Sequence, residues 1–237
     1  MMTSSNHEGT HHAGREGDQK TAAKRRLSAR PARRNDPDQT RRDIIDVATR
    51  EFAARGLDGA RIDQIAAQTR TSKRMIYYYF GSKEGLYVTV LEEAYRNLRQ
   101  IEGRLELDGL SAKDALRKLV GFTFDHHAAH SDYVRLIAIE NIHEGKHLAK
   151  SRTIQELNVP AIDAARRVLQ LGHREGVFRE GIDPIDLHMS ISALCFHNVS
   201  NRHTFSIIFK RDMTSPAALA ARRAVVIDTV LAAVRRR

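Results

Sequence analysis

From Asp36 onward, large apolar residues recur every three or four positions, the spacing that lines one face of an α-helix. Asp36 followed by Pro37 marks a helix start. The carboxylate accepts from orphan amides, and the proline's missing N–H costs nothing at the first position. Ile44, Val47, Ala48 and Phe52 then form one stripe with Ile45 beside it, and Gly56 stops this helix after Arg55. A short second helix buries Ile62, Ile65 and Ala66. Thr69-Arg70-Thr71-Ser72 leaves room only for a turn, and Ser72 caps a third helix that carries Ile76, Tyr77 and Phe80 and stops at Gly81. Ser82 caps a fourth, running through Leu86, Val90, Leu91, Ala94 and Leu98. Three short helices with tight turns ahead of a long one make a helix-turn-helix pattern.

Helical spacing continues to the end. One helix is expected from Ser111 to about His130, another from Tyr133 to about Ile142, and a third from about Ser151 to His173, kinked or restarted at Pro160. Asp183-Pro184 opens a long helix to about Phe209, and Ser215-Pro216 opens a last one ending near Val234. No segment alternates as a strand does, and no internal repeat is found. The expected fold is all-α: an N-terminal three-helix helix-turn-helix domain at 37–84, followed by a larger helical domain at 85–237.

Charge adds a partner. The formal net charge is +10, and the first 83 residues hold 17 Lys and Arg against 10 Asp and Glu, so +7 of it lies in the first third. A basic third on a milder remainder points to a polyanion-binding module fused to something else. Residues 1–36 are expected to be disordered; from Lys20 to Arg34 they read KTAAKRRLSARPARR without one acid. Such an arm can lie along phosphates or reach into a minor groove. A hydrophobic fraction of 41% with 29% charged residues is ordinary for a globular protein. One cysteine, Cys195, excludes an internal disulfide and a multi-cysteine zinc site. MMTSSNHEGTHH is too polar for a signal peptide, and the longest apolar region, 185–209, is broken by Asp186, His188, His197 and Arg202. A cytoplasmic protein without membrane contact is expected.

The stretch GARIDQIAAQTRTSKRMIYYYFGSKEGL, Gly59 to Leu86, resembles the N-terminal DNA-binding domain of the TetR family of transcriptional regulators. The matching elements are Ile65-Ala66, Ser72-Lys73, Ile76-Tyr77-Tyr78-Tyr79-Phe80 and Ser82-Lys83-Glu84-Gly85-Leu86. Ile44 to Ala48, with Phe52 and Gly56, match the family's first helix. The resemblance is specific over about residues 37–90. Residue chemistry agrees with it: after the cap Ser72, Lys73 and Arg74 can reach guanine acceptors, and Met75 can touch a thymine methyl. Tyr77, Tyr79 and Lys83 match family positions that contact phosphate, and Arg41, Arg42 and Arg61 are further phosphate candidates. Phe80 belongs to the core, and Tyr78 fits either the core or the DNA surface. Two departures stand out. The family's usual Ala-Gly-Val-Ser turn is Thr69-Arg70-Thr71-Ser72 here, and a left-handed Arg70 would cost about 1 kcal/mol relative to glycine. The second helix also starts at Ala60-Arg61 without the usual Ser or Thr.

The resemblance implies a homodimer on a palindromic double-stranded operator, with an effector pocket after residue 85 and the last two helices forming the dimer interface. Leu219, Val226, Val230 and Val234 mark an apolar face on the last helix, and Ile191, Leu194 and Val199 mark one on its companion. Together they exceed a normal exposed patch. Candidate pocket residues are the polar or aromatic ones on apolar helices: Phe122, His126, Tyr133, Arg135, Glu140, Asn141, His143, His197, Asn198 and Asn201. Arg135 and the histidines favour a small anionic aromatic or heterocyclic metabolite as effector, acting by a population shift. No cofactor is expected.

Three rival functions remain to be weighed. His143-Glu144-Gly145-Lys146-His147 has the H-E-x-x-H form of zinc hydrolases, in which two histidines one helical turn apart bind zinc and the glutamate acts as base. Gly145 sits inside the string near a helix end, and no third ligand follows at family spacing, since Lys150 and Thr153 stand where a glycine and a histidine are needed. His126 and His130 form another one-turn pair, so a metal-sensing regulator is a second alternative. An architectural DNA binder without effector is a third.

Overall fold

The computed structural model describes residues 36–236, so the expected disordered basic arm lies outside them but for Asp36. The helices are α1 (Pro37–Gly59), α2 (Ile62–Thr69), α3 (Lys73–Phe80), α4 (Lys83–Glu102), α5 (Ala112–Ala129), α6 (Ser131–Ile142), α7 (Arg152–Arg174), α8 (Pro184–Ser200), α9 (Arg202–Ile208) and α10 (Pro216–Val234). A single 3-10 turn, Leu148–Lys150, precedes α7, and the only extended pairing among the described residues is an isolated bridge between Phe178 and Arg235. The fold is all-α, as expected. None of these helices is long and apolar enough to cross a membrane.

Local chemistry sets the helix starts. The side chains of Asp36, Ser72, Ser82, Ser111, Ser151, Asp183 and Ser215 each accept from a first-turn amide of the helix that follows. Such a cap contributes about 1 kcal/mol. α2 lacks one, because its N-cap residue is Arg61. The buried Glu51 of α1 substitutes by accepting from the Arg61 amide at 3.2 Å. Arg70 does adopt the left-handed conformation, φ 53° and ψ 34°, which lets α2 end and α3 begin within four residues. Gly85 is required by a close approach, since a Cβ there would lie 2.1 Å from the Phe80 carbonyl oxygen.

The expected stop at Gly56 holds, since φ 69° and ψ 177° leave the helical region there, and the short turn after it runs to Gly59. Two other expected boundaries change. α7 runs unbroken through Pro160, which is exposed, while Ile154, Ala161, Ala165 and Val168 pin the helix on either side. The long helix expected from Pro184 to Phe209 breaks at Asn201, φ −107° and ψ 2°, into α8 and α9.

The helices close on two apolar clusters. The first joins α1 to α4 through Ile44, Ala48, Phe52, Ile65, Ile76, Leu86, Tyr87 and Leu91. It does not stop at residue 84, because Leu136 of α6 and Ile154 of α7 complete it. The second joins α5, α7, α8 and α10 through Leu116, Val120, Phe124, Val168, Leu169, Ile191, Val226, Ile227 and Val230. Burying each of these large side chains stabilises the fold by roughly 1.5–3 kcal/mol. Cys195 lies within this cluster, and burial pushes its thiol up to about 12, which keeps it protonated.

Candidate DNA interface and ligand cavity

α3 presents one face to the core and one to solvent. Ile76 and Phe80 are buried, whereas Lys73, Arg74, Tyr77 and Tyr78 are exposed and Met75 is half-buried. Tyr78 is 78% exposed, so the core role is excluded for it. Its ring stands edge-on to Tyr79 at 5.5 Å, and Tyr79 packs against the first cluster. The basic groups around α3 hold partners at or near the surface, apart from Arg41, which lies over the buried Phe80 ring. Lys73 pairs with Asp63, Arg61 lies 3.9 Å from Asp63, and Lys83 Nζ donates to the Asp58 carbonyl at 3.2 Å. Arg42 donates to Gln39 at 3.3 Å, and the Arg41 guanidinium lies 5.5 Å above the Phe80 ring. Surface pairs of this kind are worth about 0–1 kcal/mol, so a phosphate can displace them at little cost. Ser72 is committed to capping: its Oγ accepts from the Met75 amide at 3.2 Å.

A cavity of about 570 Å³ lies between α4, α5, α6, α7 and α8. Tyr95, Tyr133, Ile137, Ile154, Met189 and Phe196 supply apolar and aromatic wall, and the Tyr95 and Tyr133 rings meet edge-on at 5.8 Å. Arg99 and Glu102 form an ion pair on the same wall, with side chains only 9% and 8% exposed. Arg99 Nε also donates to Asn158 Oδ1 at 3.1 Å, and Asn158 Nδ2 donates to the Ile154 carbonyl at 2.6 Å. His127 and His188 line the cavity too, and burial lowers both imidazoles below their ordinary pKa. Burial raises the phenols of Tyr95 and Tyr133. The charge on this wall is therefore the Arg99–Glu102 pair, set among neutral imidazoles and phenols.

Of the ten pocket residues expected from sequence, only Tyr133 lines this cavity. Arg135 turns toward the first cluster, its Nε donating to the Ala53 carbonyl at 2.8 Å. His126 is buried beside Phe122 and stacks on His130 at 4.2 Å, its Nδ1 without a partner. Asn198 is buried with an unpartnered Oδ1. His197 bonds Asn201 at 3.0 Å on the exposed side of α8, and Asn141 Nδ2 returns to the Ile137 carbonyl at 2.8 Å. Glu140 sits in the last turn of α6 with its carboxylate on the loop that follows, and His143 is the first residue of that loop.

That turn carries the H-E-x-x-H string, and it is no zinc-site helix. α6 ends at Ile142, and Glu144 and Gly145 both have positive φ, 56° and 71°. His143 and His147 meet edge-on at 5.7 Å instead of sharing a helical face. His147 is buried, with its ring 5.3 Å from Tyr87 of α4. Among the described residues no group of three or more His, Cys, Asp or Glu is arranged to hold a metal.

The expected dimer contacts also need correction. Ile191, Val199, Val226 and Val230 are buried inside the protomer, and Leu194 and Leu219 are half-buried against its second cluster. α8 and α10 are apolar on more than one side, and their most apolar stripes fill the protomer's own core. What stays exposed on and between these helices is Phe205, Ile207 and Ile208 of α9, Phe209 just after it, Val225 of α10, and Ile185 and Met189 of α8.

Comparison with known proteins decides the lineage. The family described as "Bacterial regulatory proteins, tetR family" matches residues 44–90, and "Tetracyclin repressor-like, C-terminal domain" matches residues 113–230. The chain is 37% identical over 199 residues to the transcriptional repressor NicS of Pseudomonas putida, covering 84% of this chain and 94% of that one. The chain belongs to the TetR family. Within it, the repressor SCO4008 of Streptomyces coelicolor is 32% identical over 160 residues, covering 67% of this chain and 78% of the relative. The solved structure of SCO4942 from Streptomyces coelicolor superimposes with a TM-score of 0.61 at 30% identity, over 84% of this chain and 99% of that one. As a TetR-family member the protein is a helix-turn-helix transcriptional regulator and not a hydrolase. The cavity residues that sequence reasoning missed are Tyr95, Arg99, Glu102, His127, Asn158 and His188. In the sequence Arg99 and Glu102 are only a cation and an acid three residues apart, and it is Asn158, 59 positions away, that joins them into a wall.

Proposed function

We propose that the protein is a homodimeric repressor that binds a palindromic operator and releases it when a small molecule fills the cavity. The observation that carries this reading is a near-fully buried ion pair, Arg99 with Glu102, on the wall of a cavity of about 570 Å³. That volume lies in the range of about 300–1,000 Å³ typical of ligand sites. The names of NicS and SCO4008 describe both as repressors, which supports the sense of regulation. Division of labour follows the expected boundaries, with DNA contact in 37–84 and effector binding and dimerisation in 85–237. Lys73, Arg74 and Met75 would meet base edges; Tyr77, Tyr78, Lys83, Arg61 and Arg42 would meet phosphates. The effector would be an anionic aromatic or heterocyclic metabolite, with Arg99 as its cation in place of Arg135.

α4 carries Tyr95 and Arg99 on the cavity wall, and its first turn is capped by Ser82, directly after α3. A ligand preferring one placement of α4 would shift the two recognition helices of a dimer out of register. It can do so only by its differential affinity for the two placements. Genome-wide footprinting of the purified protein tests this. Protection of palindromes with half-sites about 34 Å apart is expected. Equal affinity for any duplex, with steep salt dependence, would mean an architectural DNA binder instead.

A further inference from the structure

Two cavity-wall groups keep unused hydrogen-bonding capacity after their neighbours are satisfied. His127 Nδ1 lies 2.7 Å from the Thr123 carbonyl oxygen, one turn back on α5. A carbonyl can only accept, so Nδ1 carries the ring proton and Nε2 is left as an acceptor. The ring is neutral, because burial lowers its pKa. Tyr133 and Phe196 stand edge-on to it at 5.6 and 6.3 Å and fix its plane. No described residue donates to Nε2. The second group is Arg99. Its Nε is held by Asn158 and its Nη1 by Glu102, while Nη2 makes no hydrogen bond among the described residues. Both side chains line the same cavity, and both are buried deeply enough that an unmatched ligand would leave them desolvated.

We infer that the cavity selects planar acids which present an acidic group to Arg99 and an N–H or O–H donor to His127 Nε2. The inference rests on the ligand-responsive reading above and makes His127 its specificity-determining residue. Aromatic walls on α4, α6 and α8 favour a flat body, and Arg99 favours an acid. An analogue that fills the space without a donor leaves Nε2 buried and unpaired. A site built to hydrogen-bond a ligand group rejects the analogue lacking it far more strongly than an apolar pocket rejects a missing methylene.

The test uses the full-length protein, calorimetry, and the three hydroxybenzoates as probes. Each is compared with the fluorobenzoate of the same substitution, similar in size but unable to donate, and with the uncharged hydroxybenzamide. At least one hydroxybenzoate is expected to bind tenfold or more tightly than both of its counterparts. His127→Asn places an amide N–H near the Nδ1 position, keeping the bond to Thr123 and leaving no acceptor at Nε2. It is expected to fold and to lose the hydroxyl preference. His127→Gln places an acceptor near Nε2 and is expected to keep the preference. A merely structural histidine would show the opposite pattern, with Asn behaving as wild type. Equal binding of hydroxy and fluoro acids, binding of none of the probes, or an unchanged preference in His127→Asn overturns the inference. If the variants fail to fold, the wild-type comparison decides it alone. Operator footprinting of the same preparation separates the two levels: palindromes protected while the probe comparisons fail sinks only the specificity inference, and loss of specific protection sinks the repressor reading.

Discussion

The carboxylate of Glu140 closes the turn that ends in His147. It accepts from the His147 amide at 2.7 Å and the Leu148 amide at 2.8 Å through Oε1, and it meets His147 Nδ1 at 3.1 Å through Oε2. Glu140 is 2% exposed, and Leu148 both lines the cavity and packs on the first cluster. The H-E-x-x-H string thus forms a clasp between the cavity and α4. Its working carboxylate lies outside the string, three residues before His143.

Glu140→Ala removes the acceptor from the buried His147 amide, the half-buried Leu148 amide and an imidazole. Each unpaired group costs about 1–3 kcal/mol, so a loss of roughly 3 kcal/mol is expected in urea unfolding. Glu140→Gln keeps one acceptor oxygen and loses less. A wild-type urea midpoint for the alanine variant would show that the turn is held by something else.

Arg74 and Tyr78 are exposed and contribute little to the core, so their alanine variants should unfold within about 0.5 kcal/mol of wild type. Operator affinity should drop tenfold or more in each. Arg74→Ala should also relax discrimination at one base pair, as lost base contacts do. Lys83→Ala should weaken all duplexes alike and reduce the salt slope by about 1. Band shifts on operator and scrambled DNA at two salt concentrations separate the cases.

Ile208 and Phe209 are exposed, while Val226 is fully buried. Ile208→Asp and Phe209→Asp should yield a folded monomer in sedimentation, because a buried interfacial charge without a partner is not tolerated. Val226→Asp should abolish folding. A dimer that survives both exposed substitutions would place the interface elsewhere.

His126 is lowered to about 4, by burial first and by His130 and His127 next. The unfolded chain takes up that proton near pH 6.5, as an ordinary histidine does. Since the folded value lies below the unfolded one, this stability is fully present above about pH 6.5 and is lost as pH falls toward 4. The urea midpoint should decline across that window, and His126→Phe should flatten the decline relative to wild type. Parallel profiles would show that His126 does not titrate in this way.

The legible part of this protein is the part built from near neighbours. Asp36 with Pro37, Asp183 with Pro184, and the serines at 72, 82, 111 and 215 announced helix starts because a cap acts within three residues. The stripes from Ile44 to Phe52 and from Ile76 to Phe80 announced the head because helical period and a short turn suffice to specify it. Arg135 and Arg99 show where that logic stops. Both are cations on amphipathic helices, and nothing within a few residues distinguishes them. Arg99 reaches the cavity only because α7 brings Asn158 beside it, and Arg135 leaves the cavity because α1 presents the Ala53 carbonyl. The apolar faces of α8 and α10 pose the same ambiguity, since burial in one's own core and burial against a second copy are driven by the same transfer of apolar surface from water. The sequence by itself determined most helix starts, their caps and the DNA-binding head, through interactions that span a turn or two. Which cation lines the cavity, which histidine keeps a free acceptor and which apolar residues remain outside were decided by packing between segments tens of residues apart.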